Sequence, residues 1–171
     1  ITKKIGRDKW LHKLLCHDAE RCLGIDIDEA GIAFLKKELG YTDVKALDIS
    51  AKPSSIVTAS HWDYMVLAEI VEHFDNPVEY LTRIRKFYRE HIDQLIVTVP
   101  NALAAGNFRH ATAGTEHINS DHRYWFTPYT ISKVLTRVGF QMDVIRMCVR
   151  EQHQSFWKNA RQRKSPILRN G

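Results

Sequence analysis

The chain has 171 residues, 44% of them hydrophobic, and a formal net charge of +5 with its nine His counted as neutral. This length is enough for one domain with a substantial core. No apolar run approaches the roughly 20 residues needed to span a bilayer, so the sequence predicts no membrane span.

The three cysteines, Cys16, Cys22 and Cys148, form no CxxC pair. An odd count without paired spacing is typical of a reduced protein with inert thiols, so we expect a cytoplasmic protein and no zinc site on these residues. Positive charge is concentrated after residue 150, in a segment that we interpret as a solvated basic extension, 151–171. Nucleic-acid binding is the less favoured interpretation, because no basic–aromatic stacking platform accompanies the charge.

Hydrophobic spacing predicts alternating helices and strands, with one long loop before the last helix. Asp28 is expected to cap the second helix and Gly40 to end it, with Ile32, Leu35 and Leu39 on its buried face. Strands that alternate with helices predict an α/β, Rossmann-like, doubly wound fold with a mainly parallel sheet and helices on both faces, covering residues 1–150. The predicted elements are helix 8–17, strand 21–27, helix 28–40, strand 44–47, a weak helical turn within 52–60, strand 62–68, helix 77–90, strand 95–99, loop 102–126, helix 128–138 and strand 141–149.

The segment from Trp62 to Pro77, WDYMVLAEIVEHFDNP, is the most informative part of the sequence. Its apolar run predicts a buried parallel strand, and Asp75-Asn76-Pro77 marks the start of the next helix. The charged residues between them therefore lie at the carboxyl edge of the sheet, where open α/β sheets bind ligands.

Three predicted strands end in an acidic residue: Asp26, Asp48 and Glu69. An acid at the end of one such strand commonly accepts hydrogen bonds from ribose hydroxyls. An acid on the next strand can accept from the amine of an adenine. The spacing therefore predicts an adenosine-containing cofactor, whereas a single terminal Asp would more simply cap a loop.

The segments GIDID, KALDI, WDYMVLAEIVEHFDNP and LIVTVPN together resemble class I S-adenosylmethionine-dependent methyltransferases, in particular the small-molecule branch. The resemblance covers roughly residues 24–140. It implies S-adenosyl-L-methionine as cofactor and methyl transfer to an oxygen or nitrogen of a small-molecule acceptor. Because a sulfonium methyl is highly electrophilic, such catalysis depends mainly on alignment, with a base where the nucleophile carries a proton.

The resemblance also implies roles for individual residues. Asp26 would hold the ribose hydroxyls and Asp48 would accept from the adenine amine. Glu72 and His73 would begin the substrate pocket. The remaining implied cofactor contacts are Ile27 packing on the adenine, Ile49 donating its backbone amide to the ring, and Ala68 and Glu69 lining the methionine side.

The sequence departs from the family at its start. A glycine-rich loop after a buried first strand is not visible, since only Gly6 precedes the first helix. We therefore expect the first strand and its loop to be missing upstream of Ile1. At the other end, no seventh strand is predicted after Val149.

Histidines are the candidate catalytic residues. His73 adjoins the implied methyl site, and His117 and His122 lie in the long loop with Asp121. A His paired with a carboxylate can take a proton from a hydroxyl or amine. The set His117, Asp121 and His122 also has ligand types that suit a divalent ion, but we predict acid–base roles and no metal site.

Two alternatives to a small-molecule methyltransferase remain open. A methyltransferase for RNA or protein fits the basic extension, although VPNA replaces the NPPY-type tetrapeptide of many adenine-amine methylating enzymes. A non-catalytic partner subunit fits the absent glycine loop. A nicotinamide-dependent oxidoreductase is less favoured, since neither a GxGxxG loop nor a Tyr-x-x-x-Lys pair is visible.

Overall fold

The computed structural model describes residues 10–148 and 168–170, and the chain divides into two compact units, residues 1–52 and 53–171. Both units alternate helices with strands, and both contain a pair of parallel strands. The predicted α/β class with parallel strands is therefore confirmed. Among the described residues, no helix combines the length and apolar character required to cross a membrane.

Within residues 10–52, the first unit contains a two-stranded parallel sheet and two helices. Asp28 caps the second helix by accepting a hydrogen bond from the Gly31 backbone amide at 2.9 Å, and Gly40 ends it with a φ of 71°. Ile32 and Leu35 are buried as predicted, but Leu39 is 43% exposed, so the buried face of the helix ends one turn early. The elements are α1 (Leu11–Asp18), β1 (Gly24–Asp26), α2 (Glu29–Leu39) and β2 (Val44–Ala46).

The second unit contains a four-stranded mixed sheet in the order β3-β4-β6-β5. Strands β3 and β4 are parallel, and β6 is antiparallel to both of its neighbours. The elements are α3 (Ser55–Thr58), β3 (Trp62–Ala68), a 3₁₀ helix (Val71–His73), α4 (Pro77–Tyr88), β4 (Ile92–Thr98), α5 (Ala105–Thr112), α6 (Pro128–Val138), β5 (Phe140–Met142) and β6 (Leu168–Asn170).

Local signals explain the best-predicted boundaries in this unit. The Asn76 side chain accepts from the Glu79 amide at 3.0 Å, and Pro77 occupies the first turn of α4. Thr127 forms a reciprocal capping box with Thr130 at the start of α6. Buried apolar side chains from β3, β4, β5, α4 and α6 form the core: Leu67, Leu81, Ile84, Leu95, Ile96, Ile131, Leu135 and Phe140.

Three sequence predictions were wrong in this unit. The predicted loop 102–126 contains α5, which has no buried residue and therefore leaves no apolar stripe in the sequence. The last predicted strand, 141–149, shortens to β5, and residues 143–148 have no regular structure. The prediction that no strand follows Val149 was also wrong, because Arg169 of β6 pairs with Gln94 of β4. The remainder of the predicted basic extension lies outside the described residues.

Candidate functional site

The two acidic strand ends of the first unit lie at one edge of its sheet. Strands β1 and β2 are parallel, Asp26 is opposite Ala46, and the Leu47 amide donates to the Asp26 carbonyl at 2.9 Å. Asp26 and Asp48 therefore follow adjacent strands at the same carboxyl edge, as the sequence predicted.

Each of these carboxylates also shapes its own loop. Oδ1 of Asp26 accepts from the Asp28 amide at 2.9 Å. Oδ1 of Asp48 accepts from the amide and the hydroxyl of Ser50 at 2.8 and 2.7 Å. These turns hold the carboxylates at the sheet edge, and the bonds themselves are those of a local loop cap.

The two predicted adenine-contacting residues differ in exposure. Ile27 is 75% exposed, although it directly follows a strand. Ile49 is half-buried. A large, solvent-exposed apolar side chain beside an acidic strand end can pack on the face of a planar ring. The adenine contacts of Ile27 and Ile49 stay predictions.

In the second unit, the chain turns sharply at the end of β3. Ala68 is opposite Thr98 of β4, and Glu69 has a φ of 55°, a left-handed conformation that is uncommon for a non-glycine residue. The Glu69 amide donates to the Thr98 carbonyl at 2.9 Å, and Oε1 accepts from the Thr98 hydroxyl at 3.0 Å. Backbone conformations of this kind concentrate at functional sites, so this turn marks the end of β3 as a candidate.

Beyond this turn, Glu72, His73 and His122 come together. Glu72 is fully buried in the 3₁₀ helix, and His122 Nε2 lies 3.9 Å from its Oε1. The rings of His73 and His122 meet edge to face, with centroids 4.7 Å apart. One ligand atom from each of the three side chains lies within 4.8 Å of the others.

The orientation of His73 is fixed by the backbone of the long loop. Its Nδ1 lies 3.1 Å from the Asp121 carbonyl oxygen, 48 residues further along the chain. A carbonyl oxygen can only accept, so Nδ1 carries the proton and Nε2 holds the lone pair. This arrangement, in which the second ring nitrogen donates to a carbonyl, is the one that metal-binding histidines use.

Several contacts hold the loop against the segment that follows β3. The Arg123 amide donates to the Glu72 carbonyl at 2.8 Å. The Arg123 guanidinium pairs with Asp75 at 2.8 Å, and the Tyr124 hydroxyl donates to the Asp75 carbonyl at 2.6 Å. Because these bonds involve both backbone and side chains, the loop brings His122 to Glu72 in a defined position.

The cluster has the chemistry of a divalent-ion site. Imidazole and carboxylate ligands suit first-row transition ions better than Ca²⁺. Two such ligands at roughly 2.1 Å from one ion are at most about 4.2 Å apart, so small side-chain rotations are enough to bring the three groups onto a common ion. The fully buried carboxylate of Glu72 supplies the negative charge that such an ion requires.

This cluster replaces the grouping that the sequence had offered for a metal. His122 joins Glu72 and His73, whereas His117 stacks on His110 with ring centroids 5.5 Å apart. The sequence placed Glu72 and His73 together at the start of the implied substrate pocket but did not bring His122 to them. The Glu-His dipeptide was visible, but its third partner depends on the path of a loop without sequence periodicity.

His117 instead lines a cleft of about 370 Å³. Trp125 lies at this cleft and donates from its indole nitrogen to Glu116 at 3.2 Å. This volume is within the range of small-ligand pockets. Its polar and aromatic lining includes Asn107, Phe108, His110, Glu116, His117 and Trp125.

Comparison with known proteins supports the fold. No protein-family model matches the chain, and no curated protein matches it. Among solved structures, the chain is similar to the small RNA methyltransferase HEN1, with a TM-score of 0.51 and 19% sequence identity over 73% of this chain. The match covers 18% of the HEN1 chain. At this identity the likeness concerns the fold, and the chain has a methyltransferase-like α/β fold.

Proposed function

We propose that this protein transfers the methyl group of S-adenosyl-L-methionine to a hydroxyl oxygen of a small molecule. The observation that carries the proposal is the grouping of Glu72, His73 and His122 just beyond the carboxyl end of β3. This edge is where ligands bind in α/β folds. The methyltransferase-like fold supports the choice of reaction.

The cofactor is assigned to the strand ends. In this proposal Asp26 binds the ribose hydroxyls and Asp48 accepts from the adenine amine. S-adenosyl-L-methionine supplies an electrophilic methyl group. The acceptor oxygen forms its new bond to that carbon as the bond to sulfur breaks, S-adenosylhomocysteine leaves, and the hydroxyl proton passes to water. The protein's contribution is to align the two reactants and exclude water.

The cluster favours oxygen over nitrogen as the methylated atom. An aliphatic hydroxyl is a poor nucleophile until it loses its proton, whereas a neutral amine needs no such activation. When bound, a divalent ion lowers the pKa of a coordinated hydroxyl and so makes deprotonation accessible near neutral pH. Glu72, His73 and His122 would hold that ion, with the Asp121 carbonyl keeping Nε2 of His73 available.

The cleft beside Trp125 supports a small acceptor. Its volume of about 370 Å³ suits a compact molecule, and its lining is mainly apolar. The imidazoles of His110 and His117 supply polar groups that can orient a hydroxyl through hydrogen bonds. His117 is then a substrate-binding residue in this cleft.

The first test is calorimetric titration of the full-length protein with S-adenosylhomocysteine. The proposal expects saturable binding, and the absence of binding would contradict it.

The second test removes bound metal with EDTA and measures methyl transfer from labelled cofactor to a panel of small hydroxylated acceptors. Activity that falls after chelation and returns with Mn²⁺ or Co²⁺ is expected; activity that is indifferent to chelation would exclude the metal-assisted route.

A methyltransferase acting on RNA is the second candidate function. The structural similarity to a small RNA methyltransferase and the net charge of +5 support it. The same labelled assay with short RNA oligonucleotides separates the two candidates. Methylation of RNA, together with no transfer to small acceptors, would replace the first proposal by the second.

A further inference from the structure

A second cluster of metal-ligand side chains lies in the first unit. His12 and Cys16 are four residues apart on α1 and so share a helix face. Cys16 Sγ lies 3.4 Å from Nε2 of His12, and Cys22 Sγ lies 3.7 Å from Nδ1 of the same ring. One nitrogen and both sulfur atoms lie within 4.8 Å of one another.

The backbone around this cluster is built to admit the imidazole. A side chain at Gly24 would place its Cβ 2.6 Å from Cε1 of His12, so only glycine lets the ring approach β1 this closely. The ring also contacts Trp10 and Tyr41, with centroids 5.2 and 5.4 Å away. His12 is therefore held between the strand and two aromatic rings, facing both thiols.

The Cys22 thiol lacks the character of a catalytic nucleophile. Burial, with help from the neighbouring Cys16, raises its pKa to about 12. A reactive cysteine needs an environment that stabilises its thiolate, so the position of Cys22 beside His12 calls for a role other than nucleophilic catalysis.

Cysteine spacing alone predicted no zinc site, but the fold brings a histidine to two of the thiols, and we propose that His12, Cys16 and Cys22 bind Zn²⁺. Two sulfur atoms bound to one Zn²⁺ at about 2.3 Å lie roughly 3.8 Å apart in tetrahedral geometry, a spacing that this cluster can adopt with little movement. Sulfur and imidazole ligands select zinc over Mg²⁺ and Ca²⁺. The ion would link α1 to the segment that enters β1.

The test uses Co²⁺ as a spectroscopic substitute for Zn²⁺ in the reduced, metal-free, full-length protein. Thiolate ligation gives a sulfur-to-cobalt charge-transfer band in the near ultraviolet. The Glu72–His73–His122 cluster contains no sulfur and cannot give this band, so the result is independent of the proposed function. We expect the band to saturate and to disappear when Zn²⁺ is added; a protein that shows no band would overturn the proposal.

Variants assign the band to particular thiols. Cys16→Ser and Cys22→Ser should each lower its intensity by about half or more, because each removes one of the two thiolate ligands, whereas Cys148→Ser, the matched control from the other unit, should retain it. A band that keeps its full intensity in either of the first two variants, or that depends on Cys148, would overturn the assignment.

A measurement on the unaltered protein guards against variants that fail to fold. Zn²⁺ should slow alkylation of Cys16 and Cys22 by N-ethylmaleimide, as measured by peptide mass spectrometry, and leave Cys148 unchanged. Equal alkylation with and without Zn²⁺ would contradict the site. So would a Cys16–Cys22 disulfide that forms in air and persists in the presence of Zn²⁺.

Discussion

The acidic strand ends of the first unit and the buried carboxylate of the second unit hold their charges in different ways. Asp26 and Asp48 bond to backbone amides two residues further along the chain, within their own loops. Glu72 is fully buried and lies against His122, which belongs to a distant loop. The first arrangement is local, with Asp48 exposed and Asp26 half-buried, and the second is assembled by tertiary contacts.

This difference separates two kinds of task. A solvent-accessible carboxylate that is held by its own loop can accept hydrogen bonds from a ligand with little loss of desolvation free energy. Such a carboxylate suits the hydroxyls of a nucleoside. A fully buried carboxylate is expensive to desolvate unless a cation or proton compensates its charge. The adjacent imidazoles of His73 and His122 make Glu72 the centre of a site that favours positive charge.

The largest expected effect comes from removing the charge of Glu72 while keeping its shape. Glu72→Gln should lower methyl transfer on the order of 100-fold or more, the scale of a lost catalytic group. Binding of S-adenosylhomocysteine should stay unchanged in calorimetry. Glu90→Gln, at an exposed position after α4, is the control. Full activity in Glu72→Gln would show that the cluster of Glu72, His73 and His122 has a structural role and no catalytic one.

A smaller effect, on the cofactor alone, is expected at Asp26. Asp26→Asn keeps an oxygen for the Asp28 amide but loses the charge, so affinity for S-adenosylhomocysteine should fall by about 1–3 kcal/mol. Titration calorimetry measures this change directly. Asp63→Asn, exposed near the start of β3, should leave affinity unaltered. Equal affinities for all three proteins would show that Asp26 only shapes its loop.

A still smaller effect is expected in the cleft. His117→Asn should raise the KM for the acceptor several-fold, because the ring lines the cleft, and should spare cofactor affinity. Steady-state kinetics measure both quantities, and His61→Asn, an exposed histidine paired with Asp93, is the control. If cofactor affinity fell instead, His117 would belong to the cofactor site.

The smallest effect concerns stability. Glycine adopts a φ of 55° without the roughly 1 kcal/mol that this conformation costs other residues. In Glu69→Gly this gain offsets the lost hydrogen bond to Thr98, so the free energy of unfolding in urea should change by less than about 1 kcal/mol.

A matched substitution inside a helix sharpens this last prediction. Glu79→Gly in α4 should lower the free energy of unfolding by about 1 kcal/mol, since it has no compensating relief of strain. A loss at Glu69 larger than the loss at Glu79 would show that its left-handed conformation is not strained.

Prediction from sequence succeeded where the signal was local. Strand β3 and helix α6 have the predicted bounds, because a continuous apolar run and a capping pair are complete within a few residues. It failed for α5, which buries nothing, and for β6, whose place between two other strands follows from pairing rather than from its own composition.

The sequence by itself determined the α/β class, the acidic strand ends and the start of α4, since strand periodicity, terminal residues and helix caps are local properties. Only the tertiary structure brought His122 to Glu72 and Cys22 to His12. The first contact depends on how a long loop packs, and the second on how closely α1 approaches β1 at Gly24. Both are distances between separate segments, which no residue spacing along the chain specifies.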